Sequence, residues 1–281
     1  MTSADKASPA PEDDFEDEAP KKRFRPEAYA PILTLIAIIA VWELAVELFS
    51  IRPFILPAPS AIFLAIVKYW DGILLNARQT LFTTLAGFGF AVIGGVLIGI
   101  AIGASRVVYS SLYPLLIGFN SVPKVVFVFI FIIWWGIGTV PAIVTAFLIS
   151  FFPIAVNVAT GLATMEPELR DVMRALGAKK RDIILKIGLP RSAPYFFASL
   201  KIALPTAFVG SIISETVGSN TGIGNLVQVA ASRFAFDLVF AGAAVTAVMG
   251  VAMYYLANIL ERRVTGWATR GGLDGIGQPQ G

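Results

Sequence analysis

Neither cysteine nor histidine occurs among the 281 residues of this chain. Their absence excludes disulfide frameworks, zinc sites of the Cys/His type, haem or iron–sulfur ligation through those side chains, and every catalytic triad that needs an imidazole. Charge is also scarce. Charged residues make up 15% of the chain, where a soluble domain carries about 25%. The net charge of +3 gives no support for nucleic-acid binding. No G-x-x-x-x-G-K-[ST] segment is present to cradle ATP phosphates, so the chain is expected not to be an enzyme in its own right. What is abundant is apolar: 56% of residues are hydrophobic and the mean hydropathy is +0.75. A soluble chain of this size has nowhere to hide so much apolar surface, which leaves a membrane as its solvent.

Residues 1–28 differ from the rest, with the acidic run Glu12, Asp13, Asp14, Glu16, Asp17, Glu18 followed by Lys21, Lys22, Arg23 and Arg25. Such a segment cannot bury a core and is expected to be a disordered cytoplasmic tail. The apolar run behind it is too long for the core of a secretory signal, and no small-residue cleavage site closes it. Six spans are expected, at roughly 31–50, 79–103, 121–138, 139–163, 195–217 and 238–260, each near the ~20 residues needed to cross a bilayer. The third is the weakest, and 106–120 before it adds a helix along or into the membrane. With the N-terminus inside, 18 of the 22 basic residues fall on the cytoplasmic side, Arg106 and Lys124 among them. The positive-inside rule thus places both termini in the cytoplasm. The membrane-spanning body is expected to cover 29–262, with its core at about 75–260, and 263–281 to be a short cytoplasmic tail.

Small residues recur every four positions in the second span, at Ala91, Gly95, Gly99 and Gly103. This face lets another backbone approach closely, either within the subunit, which is the preferred reading, or at a subunit seam. Between the first two spans, Pro59-Ser60 starts an interfacial helix on the outer side. Charged and polar residues inside spans are functional candidates by default. Here they are Glu43 and Glu47 at i, i+4 in the first span, Asn157 and Thr160 in the fourth, and Thr206, Ser211 and Glu215 in the fifth. All seven are candidates for a translocation path, with interhelical packing as the competing role. Gly222–Asn225 reads as an outer re-entrant turn; it follows no strand and supplies no lysine, so it is not a phosphate loop. No metal-ligating cluster stands out.

The most informative segment is the loop at 164–194, which carries most of the inner basic charge. Pro167 suits the first helical turn, where Glu168 and Asp171 meet the positive end of the helix dipole. Leu169, Val172, Met173 and Leu176 form one apolar face, with Arg170 and Arg174 on a polar one. Gly177 is placed as a C′ glycine should be. A second short helix carries Ile183, Ile184 and Ile187 opposite Lys179, Lys180, Arg181 and Lys186, and Leu189-Pro190 is expected to stop it. An apolar stripe outside the membrane must cover itself against its own bundle, the headgroups, or a groove on a partner.

This loop resembles that of the permease subunits of ABC importers, which follows E-A-A-x3-G-x9-I-x-L-P. The chain reads Asp171-Val172-Met173, three residues, Gly177, nine residues, Ile187-Gly188-Leu189-Pro190. Asp171 stands for the family's Glu, and Val172 and Met173 stand for its two alanines. Leu56-Pro57-Ala58-Pro59-Ser60, Pro114, Val122-Pro123, Trp135-Gly136-Ile137-Gly138, Ser214-Glu215-Thr216-Val217-Gly218 and Thr221-Gly222-Ile223-Gly224 are similar to the nitrate/sulfonate/taurine-type branch. The likeness covers about 41–262. It implies an all-α membrane protein with the type I ABC importer permease architecture in a bacterial inner membrane. It also implies a second permease subunit, most simply a homodimer, two cytoplasmic ATPase subunits and an extracytoplasmic solute-binding protein. No cofactor is implied. By the resemblance, Glu168, Leu169, Asp171, Val172, Met173, Arg174, Leu176, Gly177, Ile187, Leu189 and Pro190 dock the ATPase subunit. The competing class is an ion-coupled secondary carrier or channel. Such a carrier should show internal repeats and broken helices, and no convincing repeat links spans 1–3 to 4–6.

Overall fold

The computed structural model describes residues 30–265. The two terminal segments assigned to cytoplasmic tails fall mostly outside these residues. The described chain is all-helical: α1 (Ala30–Leu48), α2 (Pro59–Lys68), α3 (Trp70–Gly103), α4 (Arg106–Asn120), α5 (Val125–Trp135), α6 (Thr139–Ala163), α7 (Pro167–Ala175), α8 (Lys180–Ile183), a π-turn (Ile184–Gly188), α9 (Leu189–Gly218), α10 (Ile223–Ser232) and α11 (Phe236–Thr265). By length and composition, four helical stretches are able to cross a membrane among the described residues, or five if the broken pair α4–α5 counts as one span. The 19-residue α1 is a further apolar helix, with most of its side chains exposed.

Small residues set the helix order in the core. Along α3, a methyl group on Gly95 would lie 2.8 Å from Ile154, on Gly99 2.7 Å from Val158, and on Gly103 2.7 Å from Leu162. The stripe therefore seats α3 directly on the backbone of α6, which is packing within one chain, the preferred of the two readings. Gly161 and Gly210 bring α9 equally close to α6, against Ser192 and Thr145. The result is a tight three-helix slab with Ala91, Ile154, Val158, Leu162 and Ala203 at its centre. Leu204, Phe208, Met253 and Ala257 attach α11 to α9. At the outer end, Ile62, Ala65, Ile73, Ile223 and Ala241 tie α2, α3, α10 and α11 into a second cluster. Large apolar side chains such as Leu33, Ile36, Phe90, Leu97 and Val251 stay exposed. Lipid tails are as apolar as they are, so exposure there carries no penalty.

Three sequence-based boundaries need correction. The second span begins at Trp70 rather than 79, because α2 hands over to α3 across Tyr69 alone. The third span is not one helix over 121–138. Pro123 blocks continuation from α4, and the apolar stretch is divided between α4 and α5, bent by 90° at their junction. Leu189-Pro190 does not stop the loop helix. The ring of a proline clashes with the carbonyl four residues back, and the wide turn at Ile184–Gly188 removes that conflict, so the helix runs on into α9.

Candidate functional site

Two regions gather the candidate residues, one at each end of the slab. At one end, α7 lies between α6 and α8 in the chain. Pro167 fills its first turn, Glu168 sits near its N-terminus and Arg174 in its last turn, each matching the helix dipole. Its C-terminus is closed by a Schellman motif. The Gly177 amide donates to the Arg174 carbonyl at 2.9 Å, and the Ala178 amide donates to that of Met173 at 3.0 Å. Gly177 has φ +80°, as the expected C′ position demands. Val172 is 56% and Leu176 76% exposed, while Leu169 and Met173 are half-buried. The apolar face of α7 is thus incompletely covered by its own chain.

Arg174 donates to Asp171 at 3.5 Å on the open surface. Such an exposed pair contributes little. Arg191 donates to Glu166 at 2.9 Å, spanning from the start of α9 to the residue before α7 in a pair that is also exposed. Ile183 and Gly188 are buried, Ile187 and Leu189 half-buried, and Pro190 exposed. The loop motif therefore divides its work. Asp171–Leu176 faces outward, and Ile183–Leu189 anchors the loop on the slab. Behind α7 a cleft of about 370 Å³ opens against the α3–α4 corner, lined by Arg106, Arg170, Arg174 and Lys180 among others.

At the opposite end the centre is Glu215, 1% exposed. Thr80 of α3 donates to Oε2 at 2.7 Å, and the Gly224 amide reaches the same oxygen at 3.2 Å. The hydroxyls of Thr83 and Ser211 lie 3.2 Å and 3.3 Å from Oε1, and 2.5 Å from each other. Thr80 accepts in turn from the Ile223 amide at 2.8 Å, while Asn76 accepts from that of Gly222 at 2.8 Å. The carboxylate and its neighbours therefore satisfy the first amides of α10, the donors a helix start leaves over. Gly222, at φ +105°, has no room for a side chain, because a Cβ there would strike the Glu215 carboxylate. The re-entrant turn read at Gly222–Asn225 is this corner. Asn76, Thr80 and Thr83 were not among the sequence candidates. Their signal was a polar stripe at four- and three-residue spacing on an otherwise apolar helix.

The other path candidates lie apart. Glu43 accepts from the Ser60 amide at 3.0 Å and from its hydroxyl at 2.5 Å, so it caps α2 from α1, while Glu47 is exposed. Asn157 donates to the Pro153 carbonyl and Thr206 to that of Ile202, each within its own helix. Thr160 lies 3.4 Å from the Tyr113 hydroxyl. Only Ser211 and Glu215 come together, and they do so inside the chain.

The family described as "Binding-protein-dependent transport system inner membrane component" matches residues 91–266. The chain belongs to this family. It is thus the permease component of a binding-protein-dependent ABC importer, an inner-membrane protein of several spans that is not itself an ATPase. An ATPase and a solute-binding protein are its partners. The permease is similar to the formylaminopyrimidine transport permease protein ThiX of Halalkalibacterium halodurans, at 25% identity over 86% of this chain and 96% of the relative. It is also similar to the putative aliphatic sulfonates transport permease protein SsuC of Bacillus subtilis, at 29% over 84% and 86%. A third relative is the taurine transport system permease protein TauC of Escherichia coli, at 26% over 83% and 88%. Its fold is that of a chain in the inward-facing MetNI methionine ABC transporter, with a TM-score of 0.59 at 20% identity over 69% of this chain and 96% of that one.

Proposed function

We propose that α7 is the element through which this permease receives the work of ATP hydrolysis, and that two copies form the path for a small solute. The observation that carries this reading is the amphipathic α7, closed by its Gly177 cap and presenting Val172 and Leu176 uncovered. Six spans, with α1 counted, put both termini and α7 on the cytoplasmic side. ATP binding closes the ATPase pair and draws the two loops together. The slabs then rock to open outward, the binding protein delivers solute, and hydrolysis resets the pair. Among the relatives, names referring to sulfonates, taurine and formylaminopyrimidine support a nitrate-, sulfonate- or taurine-like solute, or a pyrimidine precursor.

Within this scheme Glu215 organises the outer corner from inside each subunit, and the docking set is Glu168–Gly177 with the Ile187–Pro190 anchor. The test is the mass of the detergent-solubilised complex. Two permease copies with two ATPase subunits are expected, and a stable, active complex with one permease copy would refute the pair.

A further inference from the structure

The junction of α4 and α5 lies level with the middle of α6. Phe119, next to last in α4, stacks on Phe152 with ring centroids 5.6 Å apart, and on Phe127 of α5 at 5.7 Å. Phe152 stands at the middle of α6, Thr139–Ala163. Asn120, Ser121 and Lys124 are therefore level with the centre of a span. The sequence reading counted Lys124 with the cytoplasmic loop; this contact supports a deeper place for it.

Broken helix at this depth is tolerated only where protein buries it or water reaches it. Asn120 and Ser121 are exposed on the chain and Lys124 is half-buried. The ammonium group turns back onto the Asn120 carbonyl at 2.5 Å instead of extending toward an interface. Among the described residues no carboxylate pairs with it. A cation at this depth without a counter-charge is costly and marks a functional position.

We propose that the α4–α5 break lines the solute path, with Lys124 selecting solutes that carry an oxyanion such as a sulfonate or carboxylate. The inference rests on the permease reading above and assigns the path to a place none of the seven sequence candidates occupies. An ammonium on a flexible stem is a point charge without the fixed fork of arginine. It suits a site that must hold an anion and release it, as conduction requires.

The test uses the whole transporter in proteoliposomes and exploits the absence of cysteine from this chain. Ser121→Cys is labelled with the ethylsulfonate and the ethyltrimethylammonium methanethiosulfonates, and the adduct is read as a mass shift on this chain. Labelling by both is expected, faster with the anionic reagent. Adding Lys124→Gln should lower the anionic-to-cationic rate ratio about tenfold, as loss of one nearby charge predicts, and Lys124→Arg should restore it. Asn120→Cys provides a second position if Ser121→Cys assembles poorly. A thiol unreactive at both positions in an assembled complex, or a ratio unmoved by Lys124→Gln, overturns the proposal while leaving the permease reading intact. Copurification of the ATPase, measured before labelling, reports on that reading separately, and its failure would remove both.

Discussion

Replacing Gly177 tests the docking role of α7 with little confounding chemistry. At φ +80° an L-residue is strained, but nothing lies within 4 Å of where a Cβ would sit. A substitution there meets no clash in its own chain, and its cost is conformational. Left-handed backbone costs an ordinary residue about 1–2 kcal/mol, more for a β-branched one, and less for asparagine, which visits that region. Gly177→Val should relieve the strain by opening the cap, losing the amides of Gly177 and Ala178 from the Arg174 and Met173 carbonyls. The end of α7 then frays and Leu176 loses its aim. Misplacing α7 at a cost of about 2 kcal/mol weakens docking about thirtyfold. The expected order of coupling is Gly, then Asn, Ala and Val. The assay is ATPase copurification and solute-stimulated hydrolysis, with membrane abundance as control, since the spans lie elsewhere. Normal coupling by Gly177→Val at normal abundance would refute the docking role. Asparagine failing as badly as valine would show that size at 177 matters and the backbone angle does not.

Glu215→Gln should retain near-normal thermal stability in detergent, because one amide oxygen can keep Thr80 and Gly224 while the NH2 faces hydroxyls able to accept. Glu215→Ala should lose about 2–4 kcal/mol by stranding the Gly224 amide and its neighbours, read as a lowered melting temperature. Transport lost in Glu215→Gln at full stability would instead assign the carboxylate to the path. Gly99→Leu should separate α3 from α6 and sharply reduce the amount of folded protein on size-exclusion chromatography, and wild-type yield would contradict the packing described. Asp171→Lys should weaken ATPase copurification with little change in stability, because its own ion pair is exposed; unchanged copurification would remove Asp171 from the docking surface.

Much of this was legible because apolar length and breaker residues act locally. The bounds 139–163 for α6 and 106–120 for α4 follow from Gly138 and Ser105 at their starts and from polar residues at their ends. Gly177 was legible for the same reason, as its conformation is set within six residues of chain. What escaped depends on distant partners. Pro190 reads as a stop until the π-turn is seen to make room for it. Glu43 and Glu47 look like a repelling pair until Ser60, from another helix, takes up the first. The hydrogen bonds of Glu215 come from α3 and α10, which no local pattern around residue 215 announces. The stacking of Phe119 on Phe152, which sets the α4–α5 junction level with the middle of α6, is likewise invisible in a hydropathy plot.

The continuity of α8, the π-turn and α9 carries a mechanical consequence. From Lys180 to Gly218 the chain is helical without a loop, so a single rod joins the segment that follows α7 to the Glu215 corner, about 45 Å long in α9 alone. A rod passes on axial thrust and torque, and its regular winding is interrupted at the wide turn Ile184–Gly188 and at Pro194 and Pro205 inside α9. If the wide turn tightens to α-helical winding, the segment before it rotates by about 100° for each residue reabsorbed. A twist applied at Ile183 is thereby passed along one helix toward the far end, where Glu215 holds α3 and α10 together.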